Sequence, residues 1–524
     1  MTGANITYSK AFVLNLLGHA PAWYKIFIIS CLVINPIIAY FSMFVAGWLL
    51  VIEFIFTLAM SLESYPLESG GLLVIEACFL GMCDMTHVTK EIYSNLEVIL
   101  LLMFMVAGIH FIRDFLLFVF TKLLVHVRSQ VTLCVSFCVI SGFISAFVDA
   151  LTVLAIIIAT SVGLYNLYIK TVAQSELALI SRKDDLIPEE YRGDVKEFRE
   201  FLCSLLMSAA VGTTLGGVCT IVGEPQNLIV GNIVGWNFVD FALRMSPISV
   251  PIVISGVITC YLVSKLKWFG YGHKMPESVY KVLLDKDEKT SKRLSRRDKV
   301  NLIVQFLCLI WLIVGLGMHL ASVGIIGLSV IVMGTSLCGV SSEKDIGEAF
   351  TESMPFCALL CVFFTVVTVI SAQGLFDPII EWVLSVPEEY QMPIFYAANG
   401  IISSVSDNVF VATIYIEQVR QALLDGVITP EHFDELAIAI NAGTNLPSVA
   451  TPNGQSAFLF LLTSPLAALI RLPYFKMMWM ALPYTIVLTV VGLVCVWFVV
   501  PELNQWMIDN GYVQTATLES IGGH

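Results

Sequence analysis

Charged residues are scarce in this chain. Asp, Glu, Lys and Arg make up 13% of its 524 residues, where a soluble domain carries about a quarter. So little charge excludes a large water-facing surface. The spacings of several catalysts are missing too. The eight histidines (19, 87, 110, 126, 273, 319, 432 and 524) form no metal-ligand spacing, and there is no H-E-x-x-H, P-loop or nucleophile elbow. That argues against a zinc protease, a nucleotide hydrolase or a serine hydrolase, and no haem-ligand pair or other cofactor set takes their place. Thirteen cysteines include no C-x-x-C pair and sit mostly in apolar runs, as small buried hydrophobes do, so no disulfide framework is expected. The N-terminus lacks a cleavable signal pattern, so the first apolar helix is expected to be retained. Nothing points to an enzyme or to a nucleic-acid partner.

What the chain has is apolar length. It is 57% hydrophobic, with a mean hydropathy of +0.84. Stretches 26–52, 201–223, 436–470 and 477–500 carry no charge at all. A bilayer core needs about 20 apolar residues as helix, and only helices or closed barrels satisfy the backbone there. The runs are helical in length, so the expected fold is an all-α polytopic membrane protein with roughly ten or more crossings. Orientation follows Lys and Arg, which stay on the cytoplasmic side. Eleven of the 28 lie within 265–299 and six within 170–199, so both loops are assigned to the cytoplasm. Segment 417–435 has one Arg, and the chain beyond Lys476 has no Lys or Arg; both are assigned outside.

The basic stretch 265–299 divides the chain into a first half, 1–264, and a second, 300–524, and reads as a cytoplasmic linker. The halves resemble each other. Gly212-Thr213-x-Leu215-x-x-Val218-x-Thr220-x-x-Gly223 matches Gly443-Thr444-x-Leu446-x-x-Val449-x-Thr451-x-x-Gly454 without a gap. Upstream, Ser145-x-x-x-Asp149 matches Ser403-x-x-x-Asp407. The loop between the two elements is cation-rich in one half and cation-poor in the other, which implies an inverted repeat with sites at the midplane.

Asp149 is the only charge in 129–169, at its middle, and Asp407 lies within the shorter uncharged stretch 391–416. Two full spans would put Asp149 at a turn near one surface, and a re-entrant hairpin would put it at a tip part-way into the membrane. The short flanks of the second copy favour two re-entrant hairpins with an aspartate at each tip. A carboxylate at membrane depth is costly, roughly 2.5–3.5 kcal/mol on insertion scales, so it should face protein or a water cavity. The bland role is a buried hydrogen-bond anchor. The functional one is a group that holds either a proton or a cation. The Gly-Thr elements look like interrupted helices. Gly223, Glu224 and Pro225 follow Thr220, and Thr451, Pro452, Asn453 and Gly454 stand at the second break. Breaks free carbonyl oxygens suited to hard cations, against the alternative of a simple proline kink. Glu224 is a third intramembrane acid, suited to either a ligand or a kink-stabilising role. Ser145, Asn227, Ser403, Asn408 and Asn453 are candidates to supply neutral oxygens or to fix the tips. Glu53 and Glu76 are weaker candidates.

Over nearly its whole length the chain resembles the NhaB-type sodium/proton antiporters of the ion transporter superfamily. The stretches that carry the resemblance are 44–50 (FVAGWLL), 97–108 (EVILLLMFMVAG), 145–152 (SAFVDALT), 222–228 (VGEPQNL), 404–410 (SVSDNVF) and 445–455 (NLPSVATPNGQ). The resemblance implies a bacterial inner-membrane protein with two inverted repeats, each with a re-entrant hairpin and a broken helix. It also implies a homodimer, elevator-like movement, and Na⁺, Li⁺ and H⁺ as substrates. A sodium-coupled symporter of organic anions with the same architecture is the alternative. It would want a cationic or Ser/Asn-rich pocket, and no intramembrane Arg or Lys lies near the tips.

Overall fold

In a computed structural model that describes residues 7–61, 63–173, 187–351 and 353–515, the described residues form helices and no strand. The principal helices of the first half are α1 (Ala22–Phe41), α2 (Met43–Ala59), α3 (Pro66–Phe79), α4 (Met85–Ser94), α5 (Leu96–His110), α6 (Arg113–His126), α7 (Gln130–Ser145), α8 (Ala150–Ala173), α9 (Glu189–Gly217), α10 (Pro225–Val234) and α11 (Phe238–Leu266). Those that follow are α12 (Glu277–Arg293), α13 (Arg296–Gly317), α14 (Val323–Cys338), α15 (Met354–Ala372), α16 (Glu388–Ser403), α17 (Asn408–Leu424), α18 (Pro430–Asn445), α19 (Ser456–Thr463) and α20 (Tyr474–Val494). Proline sets several starts: Pro66, Pro225 and Pro430 stand in the first turn, where no backbone N–H is missed. Ser295 and Asp298 form a capping box at the start of α13.

Among the described residues seven helices are long and apolar enough to cross a membrane, or eight if the α4–α5 pair, bent by 49°, is one span. The protein is thus a multi-pass membrane protein, with fewer full-length crossings than the apolar runs suggest. The difference lies in helices that stop short: α2, α7 and α14 are apolar but only 16 or 17 residues long. Burial sorts the spans. In α9, 94% of the apolar window is buried, against 33% in α1 and in α13. So α9 is surrounded by protein, and α1 and α13 turn apolar side chains outward as lipid-facing helices do.

The two matching halves share an order of elements: α7, tip, α8, α9, break, α10 in the first, and α16, tip, α17, α18, break, α19 in the second. Arm lengths differ. At 1.5 Å per residue the 16 residues of α7 and α16 and the 17 of α17 fall short of a bilayer core, as expected of hairpin arms. The 24 residues of α8 are enough to cross one.

Segment 265–299 is more than a solvated connection. It folds into α12, whose Val279 and Leu283, one helical turn apart, are fully buried against α8 and α6. Asp287 pairs with Lys122 at 2.7 Å, Ser278 bonds Tyr168 at 2.9 Å, and Arg128 stacks over Tyr280. Of the other basic loop, 170–199, residues 174–186 lie outside the described residues.

Candidate functional site

The short arm of each half packs against the first helix of its Gly-Thr element through glycines. A Cβ on Gly212 would stand 2.2 Å from the Cys138 carbonyl oxygen, and one on Gly216 would stand 1.8 Å from that of Gly142. The matching positions in the second half behave alike. A Cβ on Gly443 would meet the Tyr396 carbonyl oxygen at 2.6 Å, and one on Gly400 would meet Pro447 at 2.6 Å. Without side chains between them, α7 and α9, and likewise α16 and α18, bring each tip down onto the neighbouring break.

Threonines then fasten tip to break. Thr220 Oγ1 donates to the Ala146 carbonyl in the first half. Thr451 Oγ1 donates to the Ser404 carbonyl at 2.5 Å in the second. The repeat found in the sequence therefore recurs as the same contacts at equivalent positions. Gly223 and Gly454 finish each break where the chain crosses itself: a Cβ would lie 2.5 Å from the Gly217 carbonyl oxygen and 2.6 Å from those of Ser403 and Ser448, respectively.

Both aspartates begin helices. Asp407 caps α17, its Oδ1 accepting from the Val409 N–H at 2.9 Å and the Phe410 N–H at 3.3 Å. Asp149 precedes α8, and its Oδ2 accepts from the Thr152 N–H at 3.2 Å. Capping satisfies helix N–H groups, and the positive end of the helix dipole favours a negative charge there. The bland role is therefore real at both tips, but it does not exhaust them. Asp149 and Asp407 line one cavity of about 550 Å³, together with Thr152, Pro225, Asn453, Ser456 and Thr463. Ser61, Tyr65, Leu58 and Leu102 close it from the first half, and apolar Phe356 and Leu359 from the second. The two repeat sites thus open onto a shared space. Glu224 is 1% exposed and lies within the electrostatic reach of both aspartates. Its Oε1 is buried without a hydrogen-bond partner, as are Asn453 Oδ1, Gln455 Oε1 and Ser145 Oγ.

The remaining candidates divide by what they touch. Asn453 faces the cavity while its amide donates to the Ala59 carbonyl at the end of α2. Asn227 is a clamp. Its amide donates to the Gly217 and Thr220 carbonyls, both at 2.7 Å, and holds the first break in shape. Ser403 and Asn408 bond each other, and Ser403 Oγ also lies 2.9 Å from the Thr444 carbonyl oxygen, so this pair fixes the second tip. The first half has Ala150 where Asn408 stands, which leaves the Ser145 hydroxyl without that partner.

Asn445 and Tyr65 escape a sequence reading, while the glutamines at the breaks, which the sequence offers as neutral oxygens, are joined by bonds it does not disclose. Gln226 Nε2 donates to Asn445 Oδ1 at 2.6 Å, and Asn445 Nδ2 donates to Asn227 Oδ1 at 3.0 Å. Gln455, which occupies the repeat position of Glu224, donates to Thr214 Oγ1 at 2.6 Å. These bonds join the two breaks to each other. The polar side chains inside uncharged runs were the available signal. Tyr65 gave none.

The weaker acids lie elsewhere. Asn35 Nδ2 donates to Glu53 at 2.9 Å and Glu76 at 3.0 Å, tying α1, α2 and α3 together. Arg244 forms a fully buried ion pair with Asp434 at 3.1 Å, and the Trp236 indole N–H donates to the same carboxylate.

Oxygen donors of this kind, two carboxylates with amide, hydroxyl and carbonyl groups around one cavity, suit a small hard cation. The comparisons with known proteins agree in kind. The model of the family described as "Bacterial Na+/H+ antiporter B (NhaB)" matches residues 4–515. The Na(+)/H(+) antiporter NhaB of Escherichia coli strain 536 is 55% identical over 510 residues, covering 97% of this chain and 99% of the relative. The protein of the same name from Shigella boydii serotype 18 matches with the same identity and coverage. With its repeat, its broken helices and nearly its full length matched, the chain belongs to the NhaB family of bacterial Na⁺/H⁺ antiporters.

Proposed function

We propose that this chain exports Na⁺, and Li⁺ as well, from the bacterial cytoplasm in exchange for H⁺, with Asp149 and Asp407 as the exchanging carboxylates. The observation that carries the reading is their meeting on one cavity. A carboxyl oxygen that holds a proton cannot at the same time ligate Na⁺, so proton and cation compete for the same atoms. Competition of this kind makes the two fluxes obligatory partners. Asn453 and the hydroxyls of Thr152 and Ser456 supply neutral oxygens. Thr220, Thr451, Asn227, Ser403 and Asn408 keep tips and breaks in register, and Glu224 supports the charge balance from behind. No Lys or Arg lines the cavity among the described residues, so an organic anion would find no cationic partner there.

Access alternates, in this reading, by elevator-like movement of the block formed by tips and breaks. The halves form an inverted repeat, which the opposite cation content of 170–199 and 417–435 supports, and the protein works as a homodimer in the inner membrane. The test is collapse of a pH gradient in proteoliposomes on adding Na⁺ or Li⁺. Wild type should collapse it. At least one of Asp149→Asn and Asp407→Asn should abolish the response, only one carboxylate being strictly needed, and at acid pH the apparent KM for Na⁺ in wild type should fall as pH rises. Exchange that survives both substitutions would refute the shared carboxylate mechanism. Na⁺ flux that depends on added dicarboxylates would favour the symporter.

A further inference from the structure

A second cavity, of about 430 Å³, lies where the start of α13 meets the end of α14, lined by Arg296, Arg297, Asn301, Ser336, Leu337 and Gly339. Its floor is bare because α14 ends at Gly339 with φ +74°, and Arg297 reaches over that glycine: a Cβ there would be 3.3 Å from its Nη2. Neither arginine has a carboxylate in an ion pair among the described residues. Asp298, next to Arg297 in the chain and within its electrostatic reach, is engaged by its own helix cap, accepting from Ser295 N at 2.9 Å and Ser295 Oγ at 2.8 Å. Asp114 is exposed and within electrostatic reach of Cys338, which also lines the cavity, but it is not itself part of the lining and accepts from the Gln305 amide at 3.4 Å. Among the described residues the lining itself carries two guanidinium groups and no carboxylate.

The same helix continues as an apolar stripe. Val300, Ile303 and Leu307, each more than half exposed, follow Arg296 at helical spacing on one face. Leu337 of α14 is likewise exposed beside the cavity. A guanidinium pair immediately above a lipid-facing apolar face matches a ligand that carries a phosphate and hydrocarbon on one molecule. Arginine forks fit phosphate oxygens in pairs, and basic pockets between helices at the cytoplasmic surface suit anionic headgroups. The cytoplasmic placement rests on the cation content of 265–299.

We propose that this cavity binds the phosphodiester headgroup of an anionic phospholipid of the cytoplasmic leaflet, with Arg296 and Arg297 on its phosphate and its acyl chain along the α13 stripe. Inorganic phosphate shares the headgroup chemistry but not the stripe.

The experiment is native mass spectrometry of the delipidated full-length protein titrated with phosphatidylglycerol, phosphatidylcholine or inorganic phosphate. Wild type should retain phosphatidylglycerol in preference to phosphatidylcholine. Arg296→Gln/Arg297→Gln should weaken that retention at least tenfold. Lys281→Gln/Lys286→Gln, which removes two exposed charges from the neighbouring α12, should leave it unchanged. Melting temperatures of the lipid-free variants should equal wild type, since both arginines are exposed. Equal retention by the arginine variant overturns the proposal, as does equal weakening by the lysine variant, which would mean diffuse attraction. Displacement of the lipid by millimolar phosphate also overturns it, in favour of a soluble anion, and so does a wild type that retains no phosphatidylglycerol.

Discussion

Gly216→Ala is the sharpest single test of how the first tip is held. Its added methyl would lie 1.8 Å from the Gly142 carbonyl oxygen, 2.5 Å from the carbonyl carbon and 2.8 Å from Cα. All three are backbone atoms, so no rotamer change relieves the clash. Ordinary contact begins near 3.4 Å, so α7 and α9 must part by about 1.6 Å at this crossing. Overpacking of a well-filled interior typically costs ~1–3 kcal/mol, and a contact between two backbones belongs at the upper end. The functional loss should exceed the stability loss, because α7 carries the tip. Moving it breaks the Thr220–Ala146 bond and displaces Asp149 from the cavity wall. The assay pairs Na⁺-driven collapse of the pH gradient with thermal melting in detergent. Gly163→Ala on α8 is the control: nothing lies within 4 Å of its Cβ position, and alanine in a helix interior is favoured over glycine by roughly 0.5–1 kcal/mol. Gly216→Ala should fold with a lowered melting temperature and lose most exchange, while Gly163→Ala keeps both. Full exchange and an unchanged melting temperature in Gly216→Ala would refute the argument that close backbone contact sets the tip.

Thr220→Val removes the fastening alone and leaves a buried carbonyl unpaired, at about 1–3 kcal/mol; the maximal rate should fall, and Thr220→Ser should restore it. Asn453→Ala should raise the KM for Na⁺ about tenfold, equal to ~1.4 kcal/mol, with a smaller change in maximal rate; an unchanged KM with lowered stability would make Asn453 only an anchor to Ala59. Asp434→Asn should destabilise by ~3–5 kcal/mol, because it removes the carboxylate in direct contact with buried Arg244 and leaves it only Asp240 at longer range, whereas the double change Arg244→Met/Asp434→Leu should melt closer to wild type. Equal melting of the single and double variants would count against a desolvated pair.

Much of the site was legible because membrane sequence is poor in polar residues, so each one stands out. Asp149 and Asp407 are lone charges, and the Gly-Thr spacing repeats because the same backbone contacts must be made twice. The meeting of the two tips on one cavity was not legible, since it depends on how α10 packs against α17 and α19 against α8, contacts that no local pattern encodes. The same holds for Asn227, whose amide reads equally well as a ligand or a clamp until its partners are known. The docking of α12 was hidden for another reason: its charge dominates its composition, and only Val279 and Leu283 disclose a buried face. The length of α8 is not legible either, because its apolar run and the shorter one of α17 carry the same tip motif, yet α8 has 24 residues and α17 has 17.

The carboxamide bonds between the breaks bear on how this chain is made. Gln226 and Asn227 are inside the finished protein, 1% and 0% exposed, yet Asn445, the partner of both, is synthesised more than 200 residues later. A ribosome-bound first half therefore holds α10 with the Gln226 amide and the Asn227 carbonyl oxygen still lacking their Asn445 partner, although the Asn227 N–H groups already have the Gly217 and Thr220 carbonyls, in surroundings where such groups are expensive to bury. Until α18 arrives, that segment must keep water or another protein beside it. The order of synthesis thus creates a period in which the seam between the two breaks is only half assembled, and any factor that guards nascent membrane proteins would find its substrate there.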